Sequence, residues 1–322
     1  MKQRRKIKKS LIILIIGALI ASGAIWQTVM VRSDTDQYNS IGDYISLGTY
    51  NAHYYSKGQG STSFVFITGS GTPCAYTDFY LLQEELSRYG QTISFDHGGF
   101  GWSSKPESRR DVDSLVSELD LLIEGVVFPN TPVVLLCHSL GSMEAIRYAQ
   151  THPERIAGIV FLDGGSPEYY KELSELKSIL LNRASCLLRI TGLERLLGEI
   201  GILLPIYGES IRNPNLPEGV RKLDRAMYYK YTGNTGNLKT INEINENADV
   251  VLNGGDIGDI PILVLSSDEG QRWQKVQEQL EALSSYSSQI TIEGSSHYLY
   301  WSEYNNTKEC IIEFIKKIQG RP

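Results

Sequence analysis

Residues Val133 to Ala145, VVLLCHSLGSMEA, set an apolar run against a helix-like segment with one serine, Ser139, at the join. A short apolar run bounded by small residues reads as a buried strand, and Gly141 to Thr151 has helical spacing. A serine on so tight a strand-to-helix turn is lifted clear of the sheet. The first turn of the next helix then offers backbone N–H groups and the positive end of its dipole to negative charge. Such a turn crowds the positions two before and two after the serine. Gly141 meets the second demand; Cys137 stands at the first, where glycine is commoner, and is small enough to fit. The plain alternative is a serine acting as helix N-cap.

Working outward, the chain alternates strand and helix patterns. Tyr44 to Leu47 and Ala52 to Tyr55 suggest an opening hairpin. Strands follow at Ser63 to Ile67, Thr92 to Phe95, Pro132 to Leu136, Gly158 to Leu162, Ile262 to Leu265 and Gln289 to Ile292. Helical spacing fills Tyr76 to Tyr89, Val112 to Glu124, Gly141 to Thr151 and Thr307 to Ile318. This alternation predicts an α/β fold with a mostly parallel sheet covered by helices on both faces. The order breaks once. Between Leu162 and Ile262 the patterns are helical (Tyr169 to Leu181, Leu187 to Leu197, Val220 to Tyr229, Leu238 to Val251), with no convincing strand. Such an insertion would sit over the carboxyl ends of the strands, where open α/β sheets bind ligands. The expected division is a basic and apolar leader at 1–33, a core in two parts at 34–165 and 258–322, and a helical cap at 166–257. Leu180, Leu181, Leu187, Leu188, Ile190 and Leu193 suggest an apolar pocket lining, or packing against the core.

The leader carries six positive charges in its first nine residues, then 21 uncharged residues from Leu11 to Val31. That run is long enough to cross a bilayer as a helix. Basic residues before it tend to stay cytoplasmic, which places the bulk of the chain outside the cytoplasm on a membrane anchor at residues 11–31. A cleaved signal peptide, leaving a secreted protein, is the alternative, with Ala21-Ser22-Gly23 as small residues for a peptidase. Beyond residue 33, 24 basic residues face 37 acidic ones, a net charge of −13, which argues against gripping nucleic acid or anionic lipid by electrostatics. Cys74, Cys137, Cys186 and Cys310 are scattered and form no zinc-like pairing. No metal constellation, phosphate loop or dinucleotide fingerprint is present, so neither metal nor cofactor is expected.

The segments FVFITGSGTP (64–73), SFDHGGFGWSS (94–104), LLCHSLGSMEA (135–145), HPERIAGIVFLDGGSPE (152–168), PILVLSSDEG (261–270) and EGSSHYLYWSE (293–303) follow a recognisable order. In that order and spacing, roughly from Tyr44 to Ile318, the sequence resembles the α/β-hydrolase superfamily. The resemblance implies an eight-stranded-type sheet, a helical cap between the sixth and seventh strands, and a nucleophile, acid, histidine order along the chain. Ser139 is then the nucleophile and His297 the base. The acid is Asp163, at the end of the sixth strand, or alternatively Asp268, after the seventh. The oxyanion hole draws on the N–H of Leu140 and that of Ser70, with Gly71 as fallback. His138 is expected to point away from Ser139, His97 to be a loop residue, His53 and His152 to be structural, and Cys137 to be packing. The function implied is that of a serine esterase-like hydrolase cleaving an ester or related acyl bond of a small or medium apolar substrate through an acyl-enzyme. Serine at the elbow argues against dehalogenase and epoxide hydrolase chemistry, which related families run with aspartate there. A non-catalytic ligand-binding protein on the same fold, and acyl transfer or carbon–carbon hydrolysis by the same triad, remain as alternatives.

Overall fold

Eight strands form one sheet in the order β1-β2-β4-β3-β5-β6-β7-β8. They are β1 (Asp43–Ser46), β2 (Asn51–Lys57), β3 (Ser63–Ile67), β4 (Gln91–Phe95), β5 (Val133–His138), β6 (Ile156–Leu162), β7 (Ile262–Ser266) and β8 (Ser287–Thr291). The computed structural model describes residues 2–320 except 108, 130 and 203–212. The β1–β2 hairpin is antiparallel and β2 runs antiparallel to β4; every other pairing is parallel. Strands β3, β4, β5 and β7 are buried along their whole length, as strands covered on both faces are. Because side chains alternate across a strand, each run feeds two cores. Val65, Ile67, Leu135, Cys137, Ile159 and Phe161 enter one; Phe64, Phe66, Val134, Leu136, Val160 and Leu162 enter the other.

The first core is closed by α4 (Val112–Val126), α5 (Gly141–Thr151) and α11 (Ile244–Asn253), the second by α3 (Tyr80–Leu86), α13 (Leu299–Ser302) and α14 (Tyr304–Gln319). The helix expected over Tyr76 to Tyr89 is two pieces, α2 (Ala75–Asp78) and α3. Phe79 leaves helical geometry between them, with its ring stacked between Phe66 and Tyr300 at 4.9 and 5.5 Å. A further helix, α12 (Gln271–Glu281), follows β7 where the sequence reading had placed none. Neighbours β4 and β5 lie on opposite sides of β3, so the chain changes winding direction there. The crevice at the carboxyl ends of β3 and β5 is the switch point at which such sheets bind ligands.

Between β6 and β7 the chain is helical: α6 (Pro167–Glu172), α7 (Glu175–Ile190), α8 (Leu193–Glu199), α9 (Glu218–Tyr231), α10 (Thr235–Ile241) and α11. Residues 203–212 of the cap expected over 166–257 lie outside the described residues. At the amino end, α1 (Lys2–Gln37) is long and apolar enough from Lys8 to Gln37 to cross a membrane. Its second half rests on the cap. Arg195 on α8 donates to Gln27 at 2.9 Å and to Asp34 at 2.6 Å, and Gln27 donates to the Tyr229 carbonyl at 2.6 Å.

Next to Arg195, Glu194 is only 1 % exposed. Burial pushes its carboxyl up to about 7, against the smaller opposing pull of Thr232, Arg189 and Arg195. A carboxyl raised in the folded state stabilises the fold fully below its ordinary value of 4.5, and that contribution is lost as pH rises through about 7. Glu194→Gln should therefore gain about 1–3 kcal/mol on the parent between pH 5 and pH 8. Thermal unfolding of both proteins across that range measures it; a difference independent of pH would contradict the assignment.

Candidate active site

Strand β5 ends at His138 and α5 starts at Gly141, so Ser139 and Leu140 make the whole turn. Ser139 has φ +50°. Among the described non-glycine residues, positive φ occurs there and at Asp163 (+52°) alone. A side chain in that region costs roughly 1–2 kcal/mol and persists where the surroundings hold it, which is why such residues gather at functional sites. Here the Ser139 carbonyl accepts from the N–H of Ser142 at 3.1 Å and of Gly165 at 3.3 Å. A Cβ on Gly141 would stand 2.8 Å from the Thr68 carbonyl oxygen, so its absence lets the loop after β3 approach the elbow. Cys137 is fully buried beneath the turn, and desolvation pushes its thiol well above the ordinary range; it packs and is not poised to react.

Asp163 is fully buried just past β6. Its Oδ2 lies 2.6 Å from His297 Nδ1 and accepts from Ser267 Oγ at 2.8 Å. Its Oδ1 accepts from Ser267 N–H at 2.6 Å and Trp273 Nε1–H at 2.8 Å. A carboxylate surrounded by donors only accepts, so His297 Nδ1 is the donor, and in the neutral ring Nε2 is then the acceptor. Asp268 is exposed. The structure thus brings Asp163 to His297 and leaves Asp268 at the surface. His297 is braced by rings: Trp273 edge-on at 5.8 Å and His138 at 4.7 Å. His138, expected to face away from Ser139, is buried, with Nε2 3.2 Å from the His297 carbonyl oxygen.

Ser139, Leu140, Ser70, Gly71, Tyr170 and His297 line one cavity of about 600 Å³ under the cap. Ser70 Oγ donates to Asn237 Oδ1 and Asn237 Nδ2 to Asn182 Oδ1, each at 2.8 Å, which ties the loop carrying Ser70 to α10 and α7. His97 joins Thr68 Oγ1 at 3.0 Å to Glu144 Oε2 at 2.8 Å and so holds the same loop against α5. Tyr170 lines the same cavity as Ser139, and burial raises its phenol far above the usual range. The cap wall includes Ser178, Asn182, Ser185 and Thr232. Of the six apolar cap residues expected to line a pocket or pack on the core, Leu181 alone reaches the lining, and Leu180, Leu181, Leu187, Ile190 and Leu193 are exposed. His53 is structural, 2.9 Å from Asp96, and His152 stacks on Tyr148.

Three residues escaped the sequence reading. Ser267 sits in the quoted SSDEG but donates from a position one residue before the carboxylate that was considered. Trp273, Val276 and Leu280 mark α12 at helical spacing, a legible signal in a polar segment. Tyr170 has no sequence signal beyond its place near the start of the cap.

A donor-bound carboxylate, an imidazole and a hydroxyl on a tight strand-to-helix turn are the kinds of group that a nucleophilic relay uses. A family model described as the alpha/beta hydrolase fold matches residues 62–184. The uncharacterised protein YbdG of Bacillus subtilis is 22% identical over 86% of this chain and 86% of its own length. A proline iminopeptidase of Saccharolobus solfataricus is 25% identical over 78% of this chain and 84% of its own. Among solved structures, an esterase from Exiguobacterium antarcticum superposes with TM-score 0.66 at 17% identity, covering 86% of this chain and all of the esterase. With its eight-stranded sheet, its helical segment after β6 and its matched segment around the elbow, the chain has the alpha/beta hydrolase fold.

Proposed function

We propose that this protein is a membrane-anchored serine hydrolase that cleaves esters or related acyl bonds. One observation carries the reading: Asp163 meets His297 Nδ1 at 2.6 Å, and His297 shares a cavity with a serine held at φ +50°. Ser139 Oγ attacks the acyl carbonyl carbon while His297 Nε2 takes its proton. The N–H groups of Leu140 and Ser70 receive the charge that develops on the carbonyl oxygen. His297 then protonates the departing alcohol, leaving the acyl group on Ser139. Water, giving its proton to His297, attacks that acyl-enzyme; the carboxylic acid leaves and Ser139 regains a proton. Asp163 fixes the imidazole in the tautomer that accepts at Nε2.

The anchor reading is supported by the basic flank before the apolar run, and by the contacts of Gln27 and Asp34 with Arg195 of the cap, which treat the end of the leader as part of the folded protein. Incubation of the full chain with a fluorophosphonate probe should give a single adduct, mapped by mass spectrometry to Ser139, that Ser139→Ala abolishes. An equally labelled alanine variant would refute the assignment. Among p-nitrophenyl esters, medium-length acyl chains should turn over faster than acetate. L-proline p-nitroanilide, the substrate type suggested by the iminopeptidase relative, should turn over more slowly than either.

A further inference from the structure

Helices α7 and α8 are built inside out. α8 buries Glu194, Arg195 and Gly198 and leaves Leu193, Leu196 and Ile200 exposed on one face. α7 buries Asn182, while Leu176, Leu180, Leu187 and Ile190 are each about half or more exposed. Outside α1, nine of the fifteen exposed large apolar residues among those described lie between Leu176 and Ile202, which makes this a concentrated patch and not the ordinary scatter of a soluble surface.

The depth of the patch follows from α1. The uncharged run Leu11 to Val31 has 21 residues. At about 1.5 Å per residue it spans about 30 Å, the thickness of a bilayer's hydrocarbon core. Yet α1 meets the cap well before that run ends. Gly23 lies against the Thr191 carbonyl at the α7–α8 junction, and its own carbonyl oxygen comes within 2.6 Å of where a Cβ of Gly192 would be. Only the bare glycines permit that approach. The nine residues from Gly23 to Val31, about 13 Å of helix, therefore run beside the cap while still belonging to the uncharged segment. With that segment centred in the bilayer, the α7–α8 junction lies below the headgroups. Exposed Lys177 and Arg183 stand on α7 among its apolar residues, where long basic side chains extend toward lipid phosphates. Leu181, on the same helix and 71 % exposed, also lines the cavity of Ser139 and His297.

We infer that the outer face of α7 and α8 is immersed in the bilayer that α1 crosses, and that the candidate site takes its acyl substrate from membrane lipid. The lipid-substrate half rests on the hydrolase reading above; the immersion does not.

The test uses the full chain in phosphatidylcholine/phosphatidylglycerol vesicles. In a Cys186→Ser, Cys310→Ser background, a polarity-sensitive fluorophore is attached at Leu187→Cys, at Leu196→Cys, or at Leu121→Cys on α4 as control. Doxyl-labelled lipid should quench positions 187 and 196 several-fold more than 121, and aqueous iodide should do the reverse. Equal iodide quenching at all three overturns the immersion, and so does protection from both quenchers, which would mean a second copy covers the face. In a second arm, Leu187→Asp combined with Leu196→Asp should slow hydrolysis of a pyrene-labelled acyl ester embedded in vesicles by about tenfold or more, while soluble p-nitrophenyl butyrate and fluorophosphonate react as with the parent. Equal losses on embedded and soluble substrates, or none on either, overturn lipid capture. A parent that never labels at Ser139 removes the hydrolase reading and lipid capture together, and quenching still decides immersion.

Discussion

Ser139→Ala and His297→Ala should each lower turnover of an activated ester by about 10⁴- to 10⁶-fold, and the double variant should be no worse than either alone. The reason is that the two groups act as a unit. In the proposed mechanism the hydroxyl is a weak nucleophile without the imidazole, the imidazole has no acyl acceptor to serve without the hydroxyl, and what remains is binding and the proposed stabilisation of charge by the N–H groups of Leu140 and Ser70. Multiplying losses in the double variant would mean that the two residues act independently, contrary to their shared cavity. Ser139→Gly provides a control for folding. It relieves the positive φ at a cost in unfolded-chain entropy of about 0.5–1 kcal/mol, so its melting temperature should match or exceed the parent's while activity is lost. An unstable Ser139→Gly would show that the elbow's conformation is held by the side chain and not by its surroundings.

Asp163→Asn should reduce kcat by about 10⁴-fold, while Asp268→Asn should change it by less than about twofold. An amide at 163 can still accept from Ser267 and Trp273 through its oxygen, but its N–H₂ then faces His297 Nδ1. That nitrogen becomes the acceptor, the proton moves to Nε2, and the ring can no longer take a proton from Ser139. Asp163→Ala should in addition destabilise the fold, because the Ser267 and Trp273 N–H donors are left buried without their acceptor at about 1–3 kcal/mol each. Steady-state kinetics on Asp163→Asn and Asp268→Asn and thermal unfolding of Asp163→Ala separate these effects. Near-parental activity in Asp163→Asn would remove Asp163 from the relay.

The strands and the elbow were legible because their determinants are local. β3 and α5 have the bounds read from sequence, since an apolar run ended by Thr68-Gly69 and a helix started by Gly141 announce themselves within a few residues. Where a distant ring intervenes, local pattern fails: the Tyr300 and Phe66 rings hold Phe79 out of the helix that its spacing predicts. Cys137, a departure at the elbow, is a packing residue of the sheet, in keeping with its small size.

Local composition and periodicity were sufficient for the strands and the tight turn bearing Ser139, because each depends on neighbours along the chain, while the histidine loop after β8 was marked by the resemblance. The choice between two carboxylates was not available there. Leu162 pairs with Leu265 across parallel strands, so Asp163 and the residues after Ser266 emerge side by side, and only the backbone turn at φ +52° sends Asp163 inward. Ser267 meets it as a donor, and one residue on, Asp268 points to solvent. Helical spacing marked Tyr169 to Leu181 and Leu187 to Leu197, yet α7 runs unbroken through the gap between them, and which face turns inward was decided by tertiary contacts. Arg195 pairs with Asp34, burial of that charged face follows, and the leucines are left outside.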